Sequence, residues 1–151
     1  MNAKEFLKQY EYAARRVKRL EEELNDERLM IDAVRSLSDN DGLPHGSGIS
    51  KPVEERAIRL ADKLQELSNA RLDAIETMRN VFDVIKQIDG VPGDVLYYRY
   101  IKLTSDGNLR PWEEVCKAVN YSWGSVHRYH CSGLESVSEI LNRIDISCSI
   151  K

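Results

Sequence analysis

Cysteine is scarce in this chain. Cys116, Cys131 and Cys148 form no C-x-x-C pair, and three histidines complete no metal-ligand spacing. A zinc ribbon or finger is therefore excluded, no cofactor is expected, and the thiols are expected to be reduced. No apolar run approaches the length of a membrane span, and the charged start MNAKEF has no signal-peptide pattern. A cytoplasmic protein without a membrane partner is expected. There is no glycine-rich phosphate loop, no nucleophile elbow and no paired general base. Glu113 and Glu114 are adjacent, so they point to different helix faces and cannot share a substrate. His127 and His130 stand near Cys131, but no distant residue is spaced to complete a metal site. An enzyme is not expected. A large cationic excess is also missing. Net charge is −3, and residues 90–151 hold seven basic and seven acidic side chains. A neutral module binds DNA weakly by itself at physiological salt, which counts against an autonomous repressor.

What is present is helical periodicity. Charged residues make up 31% of the chain, above the usual quarter, as long exposed helices require. Over residues 2–38, Phe6, Tyr10, Ala13, Val17, Leu20, Leu24, Ile31 and Val34 alternate steps of four and three, with Glu27 as the polar seam position. Over residues 53–89, Val53, Ala57, Leu60, Leu64, Leu67, Ala74, Met78, Val81, Ile85 and Ile88 do the same, with Arg71 polar. Between them, residues 39–52 read as a loop, because Gly42, Pro44, Gly46, Gly48 and Pro52 forbid a continuous helix. Asp39, Asn40 and Asp41 superficially suggest a calcium loop, but the later glutamate is absent. The expected fold is all-α: a long antiparallel helical hairpin of coiled-coil type over 1–89, then a small helix-turn-helix module over 90–145 and a tail, 146–151. One seam per helix covers too little surface, so a homo-oligomer is expected, with Glu27 and Arg71 facing each other within or between chains. The basic run from Arg15 to Arg19 reads as a solvated face answered by Glu21–Glu23.

Gly90 to Gly93 ends the second helix and marks a boundary, and Asp94 is the expected N-cap of a short aromatic helix over 94–103. The chain is organised around the stretch PWEEVCKAVNYSWGSVHRYHCSGLESVSEIL, from Pro111 to Leu141. Pro111 suits a first helical turn, and Glu113 and Glu114 suit its positive end. Val115, Ala118 and Val119 form an apolar face. Asn120 tolerates a left-handed stop, and Ser122 caps the next helix. Val126, Leu134, Val137 and Leu141 then recur, with Tyr129 or His130 filling the gap. Two helices joined by so short a turn are the geometry of helix-turn-helix DNA readers, and equally of an ordinary helical hairpin.

The run Trp112-Glu113-Glu114-Val115, Ala118-Val119-Asn120-Tyr121-Ser122, Val126-His127-Arg128 and Leu134 resembles the fourth region of bacterial sigma factors. It is more similar still to small phage regulators of the ArpU and RinA type. Asp94–Ile101 resembles the preceding helix of that module, so the likeness covers about a third of the chain. Trp123-Gly124 departs from the charged residues common at that point. The resemblance implies a sequence-specific, phage-type transcriptional regulator in a bacterial host, bound to double-stranded DNA and in reach of RNA polymerase. Ser122, Trp123, Gly124, Ser125, His127 and Arg128 would then be the DNA-facing set. Arg128 stands about 200° from Val126 and so points outward. Trp123 is expected to be partly exposed and Trp112 to lie in the core. A small terminase subunit is an alternative, although in that family the DNA module typically precedes the coiled coil. A helical adaptor that binds no DNA is the third reading, favoured by the neutral charge.

Overall fold

The computed structural model describes residues 2–39 and 51–148, and the side chains of 34–39, 51–57 and 145–148 are outside the described set. Of the loop expected over 39–52, residues 40–50 lie outside the described residues, as do 149–151 of the tail, while Asp39, Lys51 and Pro52 belong to helices. All regular structure among the described residues is helical, as the periodicity requires. Helix α1 runs Ala3–Asp39, α2 Lys51–Lys86, α3 Val91–Leu96, α4 Trp112–Val119 and α5 Trp123–Cys148. Helix α5 therefore continues well past Leu141, where no apolar pattern announces it. No described helix is long and apolar enough to cross a membrane.

The chain divides into two compact units, Met1–Arg15 with Ile75–Lys151, and Arg16–Ala74. In the second unit, Leu24 and Ala74 are buried, while Val17, Leu20, Ile31, Leu60, Leu64 and Leu67 are half-buried. The seam positions thus turn inward. Leu29, Met30, Ile58 and Leu72 remain exposed. The charged seam residues do not meet within the chain as expected. Arg71 pairs with Glu21 at 2.8 Å, and Glu27 pairs with Lys63. These pairs run in opposite order along the two segments, so the residue opposite Glu27 lies near position 63. Arg71 is then about two helical turns out of register with Glu27. Both pairs are solvated at their cationic ends, so neither contributes much to stability.

In the first unit, the ends of the long helices form a core with the C-terminal elements. Phe6 and Leu7 of α1, Val81, Val84 and Ile85 of α2, Leu96, Tyr100, Val137 and Ile140 make one buried cluster. Val95, Val115 and Val126 make another, with Trp112, Val119 and Tyr129 packed against it. Neighbouring Val95 and Leu96 stand about 100° apart around α3 and belong to different clusters, so this six-residue helix faces both.

Helix α3 begins earlier than Asp94. Gly90 is its N-cap at φ 75°, a left-handed conformation that glycine adopts without strain. Pro92 sits in the first turn, where its missing N–H costs nothing, and Asp94 donates its N–H to the Gly90 carbonyl at 3.2 Å. The helix passes into a π-helical turn, Tyr97–Ile101, closed by the Lys102 N–H on the Tyr97 carbonyl at 3.0 Å. The segment after it is tied to α1. Arg15 donates from Nε to the Gly107 carbonyl at 3.2 Å and pairs with Glu11 at 2.6 Å, while the Leu109 N–H donates to Glu11 at 3.3 Å. Arg15 thus answers an acid one turn back on its own helix rather than Glu21–Glu23. Glu11 is buried, and its carboxylate is satisfied by these two donors.

Candidate nucleic-acid interface

The connection between α4 and α5 is three residues long. Pro111 takes the N-cap place with its carbonyl accepting from Glu114 and Val115, both at 3.1 Å. At the other end Asn120 adopts φ 58°, ψ 42°, so the left-handed stop falls on the expected residue. The Ser122 hydroxyl accepts the Ser125 N–H at 3.4 Å, and the Ser122 carbonyl accepts the Val126 N–H at 2.9 Å. Ser122 is therefore the N-cap of α5. Val126 is buried and fixes which way the first turns face.

Those turns carry the six residues singled out from sequence. Ser122, Trp123, Gly124, His127 and Arg128 are exposed. Trp123 is 63% exposed and stacks on His127, with ring centroids 5.4 Å apart and planes 23° from parallel. Space is open where Gly124 would carry a Cβ. Arg128 has no side-chain hydrogen bond or ion pair among the described residues, so its guanidinium is not committed to Glu135. Ser125 differs from the rest. It is half-buried, and its hydroxyl lies 3.1 Å from that of Ser122, within the cap. Tyr121 and Tyr129 meet edge to face at 5.4 Å beside this surface.

Beneath it, His130 takes the gap between Val126 and Leu134, while Tyr129 packs on the second cluster. His130 shares a hydrogen bond between Nε2 and the Tyr100 hydroxyl at 3.1 Å and meets the Trp112 ring at 4.9 Å. Arg99 lies over Trp112, its guanidinium 4.6 Å from the ring centroid, and donates to the Arg110 carbonyl. Trp112 is thus held between a cation and a buried imidazole. His127 and His130 go separate ways, one to solvent and one to the core, so they do not form a ligand pair. Burial, then the nearby positive charges of Lys4, His127 and Arg99, depress the His130 pKa from 6.5 to about 4.

That depression has a consequence for stability. Above pH 6.5 His130 is neutral folded or unfolded. Between 6.5 and about 4 the unfolded chain binds a proton that the folded chain refuses, so stability falls as pH falls through this window. Urea midpoints at pH 7 and pH 4.5 should show a smaller acid loss in His130→Gln than in the parent chain. Equal losses would remove His130 as the acid-sensitive group.

A recess of about 180 Å³ opens beside Trp123, lined by Lys4, Trp112, Trp123, Val126, His127 and His130. Lys4 is the contributor that sequence reasoning missed. It comes from the first turn of α1, more than a hundred positions away, and nothing local to it signals a role. Among the described residues, no group of three or more metal-binding side chains converges. Comparison of the chain with family models, curated proteins and solved structures finds no match.

Proposed function

We propose that this chain is a DNA-binding transcriptional regulator of the phage type, reading DNA with the start of α5 and acting as an oligomer. The observation that carries the reading is the exposed face formed by Ser122, Trp123, Gly124, His127 and Arg128, with the Arg128 guanidinium unengaged. Helices α4 and α5 with their three-residue turn are taken as the helix-turn-helix. Gly124 leaves room for a phosphate, and Arg128 can bond a guanine edge or a phosphate. Lys4 adds a second cation next to the same face. The balance of seven acids and seven bases over residues 90–151 argues for oligomeric binding, since two copies double the phosphates neutralised. The long helices are taken as an antiparallel coiled-coil hairpin that supplies this association. Its support is the exposure of Leu29, Met30, Ile58 and Leu72. Sedimentation at micromolar concentration should therefore give a dimer or larger, and a clean monomer would remove the oligomer.

Arg128→Ala tests the reading helix. A lost base contact costs about 1–3 kcal/mol and relaxes specificity at one position. A lost phosphate contact weakens every sequence alike and lowers the salt slope by about one unit. Titrations of promoter fragments and random duplex at two salt concentrations, with thermal melting as control, distinguish these. Unchanged affinity for both DNAs in a folded variant rules out α5 as the reader. The neutral charge favours a second reading, an adaptor that binds only protein. It predicts no salt-dependent DNA binding by the parent chain.

A further inference from the structure

The recess beside Trp123 has a composition that an ordinary major-groove surface does not need. Two indoles and two imidazoles line it with Lys4 and Val126, and no carboxylate is among the lining side chains. Trp123 is 63% exposed although it is one of only two tryptophans in the chain. Bare tryptophan is costly to keep in water unless something covers it. Stacking on His127 covers part of the ring.

Lys4 is the one fixed charge among the residues that line the recess. The groups acting on His130 from other positions are Lys4, His127 and Arg99, each of which disfavours a further positive charge. They come from α1, α5 and the π-helical turn. An occupant that complements this site is planar, aromatic and anionic. A nucleotide meets all three requirements, its base against indole and its phosphate toward Lys4. A paired base inside a duplex cannot offer its face, because both faces are stacked.

We propose that the recess between Trp123 and Lys4 receives one unpaired nucleotide of a DNA strand, so that the chain prefers DNA with a displaced base over a perfect duplex. This rests on the reading of α5 as the DNA-binding helix. It adds a stacking site beside that helix, with Trp123 as the platform and Lys4 as the phosphate contact.

The test is a fluorescence-anisotropy titration of the full chain with three labelled DNAs. These are a perfect duplex, the same duplex with one unpaired adenine, and the unpaired strand alone. Base stacking on an aromatic side chain supports a preference on the order of tenfold for the bulged duplex. Trp123→Ala and Lys4→Ala should each reduce that preference, taken as the ratio of bulged-duplex to perfect-duplex affinity within one variant, severalfold. Trp123→Phe should restore much of it, since a phenyl ring still stacks. Equal affinity of the parent chain for bulged and perfect duplex overturns the stacking site and leaves the duplex reading standing. A preference undiminished in Trp123→Ala also overturns it. Absence of binding to all three DNAs overturns the DNA-binding reading together with the site.

Discussion

Gly93→Ala is expected to destabilise the protein by about 3 kcal/mol or more. A Cβ built at Gly93 lies 2.0 Å from the Ile88 carbonyl oxygen and 3.1 Å from its carbon. Both are backbone atoms, so no rotamer change can relieve the overlap. Either the turn after α2, which holds Ile88, or the start of α3 must move, and α3 carries Val95 and Leu96, both fully buried in the two clusters. Overpacking usually costs about 1–3 kcal/mol, and immobile backbone places this site at the upper end or beyond. For a chain of this length the melting temperature should fall by roughly 10 °C. Gly124→Ala is the control. Its Cβ would meet nothing within 4 Å, and alanine in a helix gains up to about 1 kcal/mol over glycine. Thermal unfolding of the two variants should therefore move in opposite directions. A Gly93→Ala protein as stable as the parent would mean that α2 and α3 do not approach as described.

Leu7→Ala should cost about 2–5 kcal/mol. Leu7 is fully buried in the cluster that also holds Val81, Ile85, Leu96, Tyr100 and Val137. Truncation removes contacts and leaves a cavity that helices from several parts of the chain must close around. Tyr12→Ala, at a tyrosine 61% exposed, should stay within about 0.5 kcal/mol of the parent. The same packing predicts the fate of a fragment comprising residues 90–148. Without Phe6, Leu7, Val81, Val84 and Ile85 it leaves Leu96, Tyr100 and Ile140 uncovered. Circular dichroism of that fragment should show little helix and no cooperative melt. A sharp melting transition would make residues 90–148 an independent domain.

Sequence patterning locates the helices well where local chemistry is decisive. Asn120 stops α4 in the left-handed region, and Ser122 caps α5, because both depend on side-chain and backbone groups a few residues apart. The start of α3 departs from its expected place for a local reason. Asp94 is a good cap type, but Gly90 has the backbone freedom and Pro92 the fixed φ to begin the helix earlier. The candidate face is legible as well, since helical phase relative to Val126 determines which side chains look outward. Ser125 leaves that face because a neighbouring hydroxyl is within reach of its own.

The all-helical class, the inward seams and the outward direction of Trp123 and Arg128 are thus determined by the sequence itself. Each depends on periodicity or on neighbours within one or two turns, which the order of residues specifies directly. Cross-helix register is different. Identical seam patterns can slide by a heptad with little change in local pattern, so the pairing of Glu27 with Lys63 and of Arg71 with Glu21 is decided only in the fold. The same is true of the Arg15–Glu11 hold on the segment before α4, and of Lys4 beside Trp123. These join residues about a hundred positions apart. No local preference encodes such a meeting, because it exists only once the ends of α1 and α2 have packed around Leu96 and Tyr100.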